Sequence, residues 1–367
     1  MRKGKNIYKR KDGRWEGRFI ADRDASGKAK YRSVYGKSYT ECVKKLDNCK
    51  KAIRVPRNPM TVSELFIAWH EGRKNAVKPS TYMNYNHLYR LYIAPRFAHM
   101  HVNRLTTDSL NEYVSELLQC GGMKRQGLSA KTVQTILIMV KAMFRYGEIT
   151  HQLHNPAKNV FVPKSEVKEP EVFTRHEIKK IRETAMQRDA SAFGILLCLY
   201  CGLRIGELCA LTWQDIDLTA HTLKIKKTMQ RIQNPDDNQP KTVVIIGKPK
   251  SAKSIRTVPI PKFMWRKLSE LKKKAAVDSF FLTGSDRYIE PRAYRYHYKK
   301  LLSTLKIPYR NFHVTRHTFG TECIACGIDA KTVSELLGHA SVKITLERYV
   351  HTSLETKRKQ IEKLCAV

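Results

Sequence analysis

Four short segments in the second half of the 367-residue chain carry side chains that could act together on a phosphate. Gly202-Leu203-Arg204-Ile205-Gly206-Glu207-Leu208 sets an arginine at the end of a hydrophobic helix, between glycines that let the backbone turn and approach a ligand closely. A guanidinium fixed there by buried neighbours offers a planar fork matched to two oxygens of one phosphate. The competing reading of this segment is a structural ion pair with Glu207. His313-Val314-Thr315-Arg316-His317 places His313 and Arg316 three residues apart, on one face if the segment is helical, so both can address one target. Leu336-Leu337-Gly338-His339 ends a helix at a Gly-His corner, and ten residues later stands Tyr349, within Leu346-Glu347-Arg348-Tyr349-Val350-His351. Taken singly, a histidine or tyrosine in such a helix reads as a packing residue. Taken together they supply cations, hydrogen-bond donors and a hydroxyl nucleophile.

What is missing narrows the chemistry. The sequence has no GxxxxGK[ST] phosphate loop, no GxSxG elbow, no HExxH, and no Asp/Glu cluster spaced for two metals. ATP, Mg²⁺ and other cofactors therefore have no evident home, and no metal site is expected. An enzyme that acts on phosphodiesters without a metal must neutralise transition-state charge with its own cations and bring its own nucleophile.

Composition points to the substrate class. Lysine and arginine number 69 against 33 acidic residues, a formal charge of +36, far more than solubility needs and suited to a polyanion. Nucleic acid is the expected partner, with steep salt dependence because each neutralised phosphate releases counterions. The longest apolar run, Ala192 to Leu203, falls well short of the ~20 residues that span a bilayer, so no membrane partner is expected. The charged start Met1-Arg2-Lys3-Gly4-Lys5 has no hydrophobic stretch behind it and does not read as a secretory signal, which places the protein in the cytoplasm. Nine scattered cysteines, an odd number, argue for reduced thiols. The CxxC pairs Cys198/Cys201 and Cys323/Cys326 sit in helical apolar runs without the turn residues of a zinc knuckle, and are expected as buried small side chains.

These residues need a frame, and the chain reads as three domains, 1–57, 58–160 and 161–367. In the first, Ile7-Tyr8, Trp15 to Ile20 and Lys30 to Tyr35 are strand-like, separated by the turn formers Asp12-Gly13 and Asp24-Ala25-Ser26-Gly27. Ser38 to Ile53 follows as a helix that can pack on the three-stranded sheet. Residues 1–60 hold 19 basic and 6 acidic side chains, interleaved with Tyr8, Trp15, Tyr31 and Tyr35, which marks a DNA-binding module over a merely solvated basic face. Pro56 and Pro59 mark a linker. The capping box Thr61-Val62-Ser63-Glu64 then opens a helical bundle, with helices from Leu65, over Tyr82 to Tyr92, over Thr107 to Leu118 and over Ser129 to Tyr146. Pro156, Pro163 and Pro170, with Lys164 to Glu169 between them, suggest an exposed linker. A second capping box, Thr174-Arg175-His176-Glu177, opens a mainly helical domain with a small antiparallel sheet from Thr222 to Thr228, Thr242 to Ile246 and Arg256 to Ile260.

The order and wording of the phosphate-directed segments resemble the tyrosine recombinase family, also called phage integrases, of the prophage or conjugative-transposon type. Members carry a GLRxGE box, a lysine in a β-hairpin, an HxxR box, an LGH box and a tyrosine about ten residues later, and all five occur here in that order. The resemblance implies a multidomain protein with the DNA breaking-rejoining fold. In it Arg204 and Arg316 would clamp the scissile phosphate, His313 and His339 would complete its hydrogen bonding, and Tyr349 would attack. Of Lys248, Lys250 and Lys253 in the Gly247 to Arg256 hairpin, Lys250 aligns best, as the general acid that protonates the leaving 5′ oxygen; Lys253 is the second candidate. A phenol with an ordinary pKa near 10 is a poor nucleophile at neutral pH, so the surrounding cations must ease its ionisation as it attacks. The phosphotyrosine ester conserves the energy of the broken bond, and no nucleotide cofactor is needed.

The resemblance also implies a homotetramer on double-stranded DNA, with core and arm sites, and possible dealings with an excisionase. A terminal helix capped by Thr352-Ser353-Leu354-Glu355 would dock on a neighbour. Two departures stand out: Val314-Thr315 replace the usual Asp-Leu inside HxxR, and residues 229–241 form a longer polar insert. The first could change how His313 is oriented. The alternatives are a type IB topoisomerase, which shares the chemistry, and a decayed recombinase that only binds DNA; the intact set of boxes argues against the latter.

Overall fold

The computed structural model describes residues 6–23, 29–53, 60–122, 125–165, 171–234, 241–249, 251–276 and 278–349, with positions 358 and 361. The Asp24–Gly27 turn, Pro56, Pro59, Pro170, Lys250 and the Thr352–Glu355 cap lie outside the described residues, as does the end of the Lys164–Glu169 stretch. The chain divides into two compact units, Met1–Glu166 and Val167–Val367.

The first unit begins with an antiparallel sheet of β1 (Ile7–Lys9), β2 (Trp15–Arg23) and β3 (Ala29–Gly36), in that order. Side chains alternate across β2. On one face Phe19 is buried with Cys42 and Leu46 of α1 (Tyr39–Ile53). Gly17 is on this face too, where a Cβ would stand 3.2 Å from both Cys42 Sγ and Leu46 Cδ1. On the other face the buried Glu16 carboxylate accepts hydrogen bonds from Ser33 Oγ (2.7 Å) and Arg10 (3.0 Å), which anchors a cationic surface rather than an apolar one.

The helices that follow are α2 (Val62–Glu71), α3 (Pro79–Leu88), α4 (Ala94–Phe97), α5 (Thr107–Cys120) and α6 (Ala130–His151). Thr61 and Glu64 form the reciprocal cap of α2. The run from Tyr82 to Tyr92 is not one regular helix. Pro95 cannot donate a backbone N–H, and the preceding turn, Tyr89–Ile93, widens so that Ala94 N–H bonds the Tyr89 carbonyl. Leu65, Trp69, Val102, Val114, Ile136 and Met143 are at the centre of this bundle's core.

In the second unit α7 (Arg175–Gln187), capped by Thr174 and Glu177, leads into α8 (Ala190–Cys201). α8 is apolar on nearly every side and therefore runs through the middle of the core. Then come α9 (Ile205–Cys209), β4 (Ile216–Asp217), β5 (Thr222–Ile225), β6 (Thr228–Gln233), β7 (Thr242–Gly247), β8 (Arg256–Pro259), α10 (Trp265–Lys272), α11 (Pro291–Thr304), α12 (His313–Ala325), α13 (Ala330–Leu337) and α14 (Val342–Tyr349).

The expected single small sheet is in fact two. β4, β5 and β8 form one, and among the described residues β6 pairs with β7 alone, from Thr228 opposite Gly247 to Gln233 opposite Thr242. The break falls at Lys226-Lys227, where two consecutive lysines leave no residue to bury in a shared core. Part of the polar insert is thus strand β6, and β7 and β8, which flank the lysine segment, belong to different sheets and do not pair as a hairpin. Among the CxxC residues Cys198, Cys201 and Cys323 are buried, but Cys326, at the end of α12, is exposed. No helix among the described residues is long and apolar enough to cross a membrane.

Candidate active site

The site is built where α8 ends. Gly202 adopts φ +66°, and a Cβ there would stand 2.7 Å from the Phe319 ring, so the turn needs glycine both for its backbone angle and for close packing. Its carbonyl accepts Arg316 Nη1 at 2.6 Å and Arg256 Nη2 at 3.4 Å. Two residues on, Arg204 precedes α9 and is held on one edge by Glu207. Its Nη1 lies 2.7 Å from Oε1, and its backbone N–H is 3.0 Å from Oε2. Glu207 also receives Arg256 at 3.0 and 3.2 Å. Burial alone would raise this carboxyl, but Arg256 and Arg204 hold it below its ordinary value.

Both readings of Arg204 therefore hold at once: the ion pair is real, and it fixes a guanidinium whose side chain keeps 36% of its surface exposed. Arg256, at 5%, is consumed by its protein partners. Its part in the site went unnoticed at the level of sequence, where it read as the start of a strand; an arginine opening a buried strand was the available signal.

Helix α12 presents His313, Arg316, His317 and Gly320 along one stripe at helical spacing. Arg316 is 2% exposed, its fork pinned to the carbonyls of Gly202 and Leu337. Burial, and then Arg204, bring its pKa down to about 9. The replaced pair Val314 and Thr315 is buried, Thr315 Oγ1 donating to Phe312 O at 2.8 Å, so the departure in the HxxR box faces the core and not the site. His313 lines a cleft of about 550 Å³ with Arg204, Arg231, Arg292 and Arg295. Its ring stands 4.5 Å from that of His317, at 84°.

Helix α13 stops at Gly338, φ +63°, where a Cβ would stand 3.0 Å from the Lys253 carbonyl. The corner turns His339 inward; its Nδ1 is 2.8 Å from Thr345 Oγ1. The His339 ring is parallel to that of Tyr349, centroids 6.2 Å apart. Tyr349 closes α14 and is buried with Phe319, Cys323, Val333 and Leu337. Its hydroxyl lies 3.1 Å from His317 Nδ1. Burial raises its pKa more than the Arg316 and Arg348 charges lower it, so the phenol is neutral in the free protein. Lys253 Nζ donates to Ala340 O at 3.0 Å, beside the same corner. Arg204, His313, Arg316, His339 and Tyr349 are thus brought into one site, while Lys250 lies outside the described residues. Among the described residues no cluster suited to a metal ion occurs.

His317 and Gly320 were not singled out from the sequence, although their offsets of four and seven from His313 put them on the same stripe. The Tyr349 ring lies against Gly320, where a Cβ would meet the ring at 2.7 to 3.0 Å. Gly320→Ala should push the phenol out of line and slow cleavage about 100-fold, with DNA affinity unchanged. Single-turnover cleavage and gel-shift titration test this; wild-type cleavage by the alanine variant would contradict it.

The buried histidines give the fold a pH signature. Burial, and then the nearby arginines, hold His339 down to about 3 and His317 to about 4. The unfolded chain binds these protons near pH 6.5 and the folded chain does not until far lower, so the unfolded state gains protons first. Stability is full above about pH 6.5 and falls as the pH drops toward about 3. Thermal melting should show Tm declining across that window, and less so with DNA bound, since a phosphate favours the His339 imidazolium. A flat Tm over the window would contradict it.

A phenol, two arginines and three histidines are thus gathered around one spot, a donor set suited to a phosphate and to a hydroxyl nucleophile. Residues 171–356 match the phage integrase family, and residues 61–118 match the N-terminal SAM-like domain of phage integrases. The chain is 30% identical to a XerC-like tyrosine recombinase of Caldanaerobacter subterraneus subsp. tengcongensis over 93% of each protein. It is 27% identical to the ICEBs1 integrase of Bacillus subtilis over 78% of each. Its fold matches that of the Tn1549 transposon integrase in complex with a circular intermediate DNA (TM-score 0.68, 21% identity, 83% of this chain and 99% of that one). It also matches a lambda integrase from a tetramer bound to a Holliday junction (TM-score 0.59, 16% identity, 94% and 95%). The chain belongs to the phage integrase family and is a tyrosine recombinase of the integrase type.

Proposed function

We propose that the chain integrates and excises a mobile element by cutting and rejoining double-stranded DNA through a covalent 3′-phosphotyrosine at Tyr349. The observation that carries this reading is the Tyr349 hydroxyl, buried in its own subunit beside His317, with Arg316 and His339 around it. Arg204 and Arg316 bind the two non-bridging oxygens of the scissile phosphate, and Glu207, Arg256 and the carbonyls of Gly202 and Leu337 hold both forks in place. His313 and His339 donate hydrogen bonds to the same phosphate once its charge raises their proton affinity. Lys250 protonates the departing 5′ oxygen, with Lys253 the second candidate. The ester then waits for a 5′-hydroxyl from another strand, which reverses the step and joins new ends.

In this reading residues 1–57 bind arm sites through the cationic sheet, 58–160 grip the core site, and 161–367 perform catalysis. Recombination joins two duplexes by four strand cuts, which a homotetramer on DNA supplies, linked by the segment after Tyr349; an excisionase would bias the direction. The lambda integrase tetramer on a Holliday junction supports that assembly. The test begins with sequencing the DNA that flanks the gene, where element ends and a repeated core are expected. Two labelled duplexes carrying that core should exchange strands when the full chain is added. Relaxation of supercoils without exchange would point to a topoisomerase instead.

A further inference from the structure

We infer that His317 is the general base of the reaction, taking the Tyr349 phenol proton on Nδ1 as the oxygen attacks phosphorus. The inference rests on Tyr349 being the nucleophile. Its geometric basis is the 3.1 Å separation of Nδ1 and the hydroxyl, a hydrogen bond made before any DNA arrives. The contact is not an accident of a loose surface. His317 and Tyr349 sit on α12 and α14, both packed on the cluster of Phe319, Cys323 and Leu337, and Gly320 leaves the room that lets the ring lie flat against α12.

A base must be neutral when the substrate binds, and it must gain affinity for the proton as the reaction proceeds. The groups facing His317 are His313 and Arg316 on its own helix and Arg348 and Tyr349 on α14. Burial, then Arg348 and Arg316, keep its ring neutral. Burial, before any neighbouring charge, holds both His313 and His317 low, yet of the two only His317 touches the phenol, so they divide the work: His313 faces the cleft beside Arg204, and His317 faces the nucleophile.

The step balances. The Tyr349 O–H bond breaks and its proton passes to His317 Nδ1; the tyrosine oxygen–phosphorus bond forms and the phosphorus–5′ oxygen bond breaks. The leaving oxygen takes a proton from the lysine. In the reverse direction the imidazolium returns its proton to the phenol, so base and acid exchange roles.

The test uses the full chain and a suicide duplex carrying the flanking core site, in two forms: all-oxygen DNA, and DNA with a 5′-bridging sulfur at the scissile phosphate. A thiolate leaves without a proton, so sulfur rescues a missing acid and not a missing base. His317→Gln keeps a hydrogen-bonding partner for the phenol but cannot take a proton, and His317→Phe keeps only the ring. Both variants should trap covalent protein about 100-fold more slowly on all-oxygen DNA and remain slow on the sulfur substrate, with Tm and DNA affinity near wild type. The lysine variants Lys250→Ala and Lys253→Ala, run alongside, identify the acid as the one that sulfur rescues. Wild-type rates for His317→Gln, or recovery of either His317 variant by sulfur, would overturn the proposal and leave His317 a packing residue or part of the acid relay. Tyr349→Phe separates the two claims: if it still traps, the nucleophile is wrong, whereas a dead Tyr349→Phe beside an active His317→Gln removes only the base.

Discussion

Tyr349→Phe should lower covalent trapping of a suicide duplex by on the order of 10⁴-fold or more, while the variant folds and binds DNA as the wild type does. The ring sits among Phe319, Cys323, Val333 and Leu337 and over Gly320, contacts a phenylalanine keeps. What is lost is the hydroxyl and its bond to His317. Melting temperature and gel-shift affinity should therefore be unchanged, so the defect is read as chemistry and not as misfolding. Trapping that survives this substitution would assign the nucleophile elsewhere.

Arg316→Ala should cost about 10³-fold in the same assay, because it removes a rigid cation from where transition-state charge develops. Unlike the tyrosine change, it should also destabilise the fold. Its guanidinium is buried and bonds the carbonyls of Gly202, the turn residue that follows α8, and Leu337, the last residue of α13. Leaving the Leu337 carbonyl buried and unpaired costs roughly 1–3 kcal/mol, while the Gly202 carbonyl keeps Arg256 Nη2 as a donor, and the loss is set against the relief of an arginine whose own charge is disfavoured there. Arg316→Lys separates the two roles: a lysine restores charge but cannot span both carbonyls and a phosphate, so cleavage should stay low while part of the Tm returns. Cleavage within ten-fold of wild type by the alanine variant would mean that Arg204 alone holds the phosphate.

Much of this was legible in the residues because the relevant constraints are local. The capping boxes at Thr61 and Thr174 announce their helices by a reciprocal bond over three residues, and both form. Gly338 ends α13 in the left-handed region, as a Gly-His corner suggests. The all-apolar run from Ala192 becomes the buried α8. What could not be read is what depends on distant partners. Arg256 meets Glu207 across 49 positions, and β8 pairs with β5 and not with its neighbour β7, so the lysine segment took on a different connection from the hairpin expected. Likewise His317 lies on the legible stripe of α12, but only the packing of α14 against that stripe shows that it meets a hydroxyl. The widened turn before Pro95 was legible in principle, since a missing N–H must be absorbed somewhere, but its position within the helix depended on how Tyr89 and Ile93 fill the bundle core.

The central claim, that a phenol in a nest of arginines and histidines exchanges places with a sugar oxygen on phosphorus, is tested most directly by locating the bond. Wild-type protein is trapped on a suicide duplex, digested, and the DNA-linked peptide is sequenced by mass spectrometry. The account predicts one modified residue, Tyr349, carrying a nucleotide 3′-phosphate. A nucleotide on any other side chain, or a 5′-phosphate linkage on this one, would contradict it.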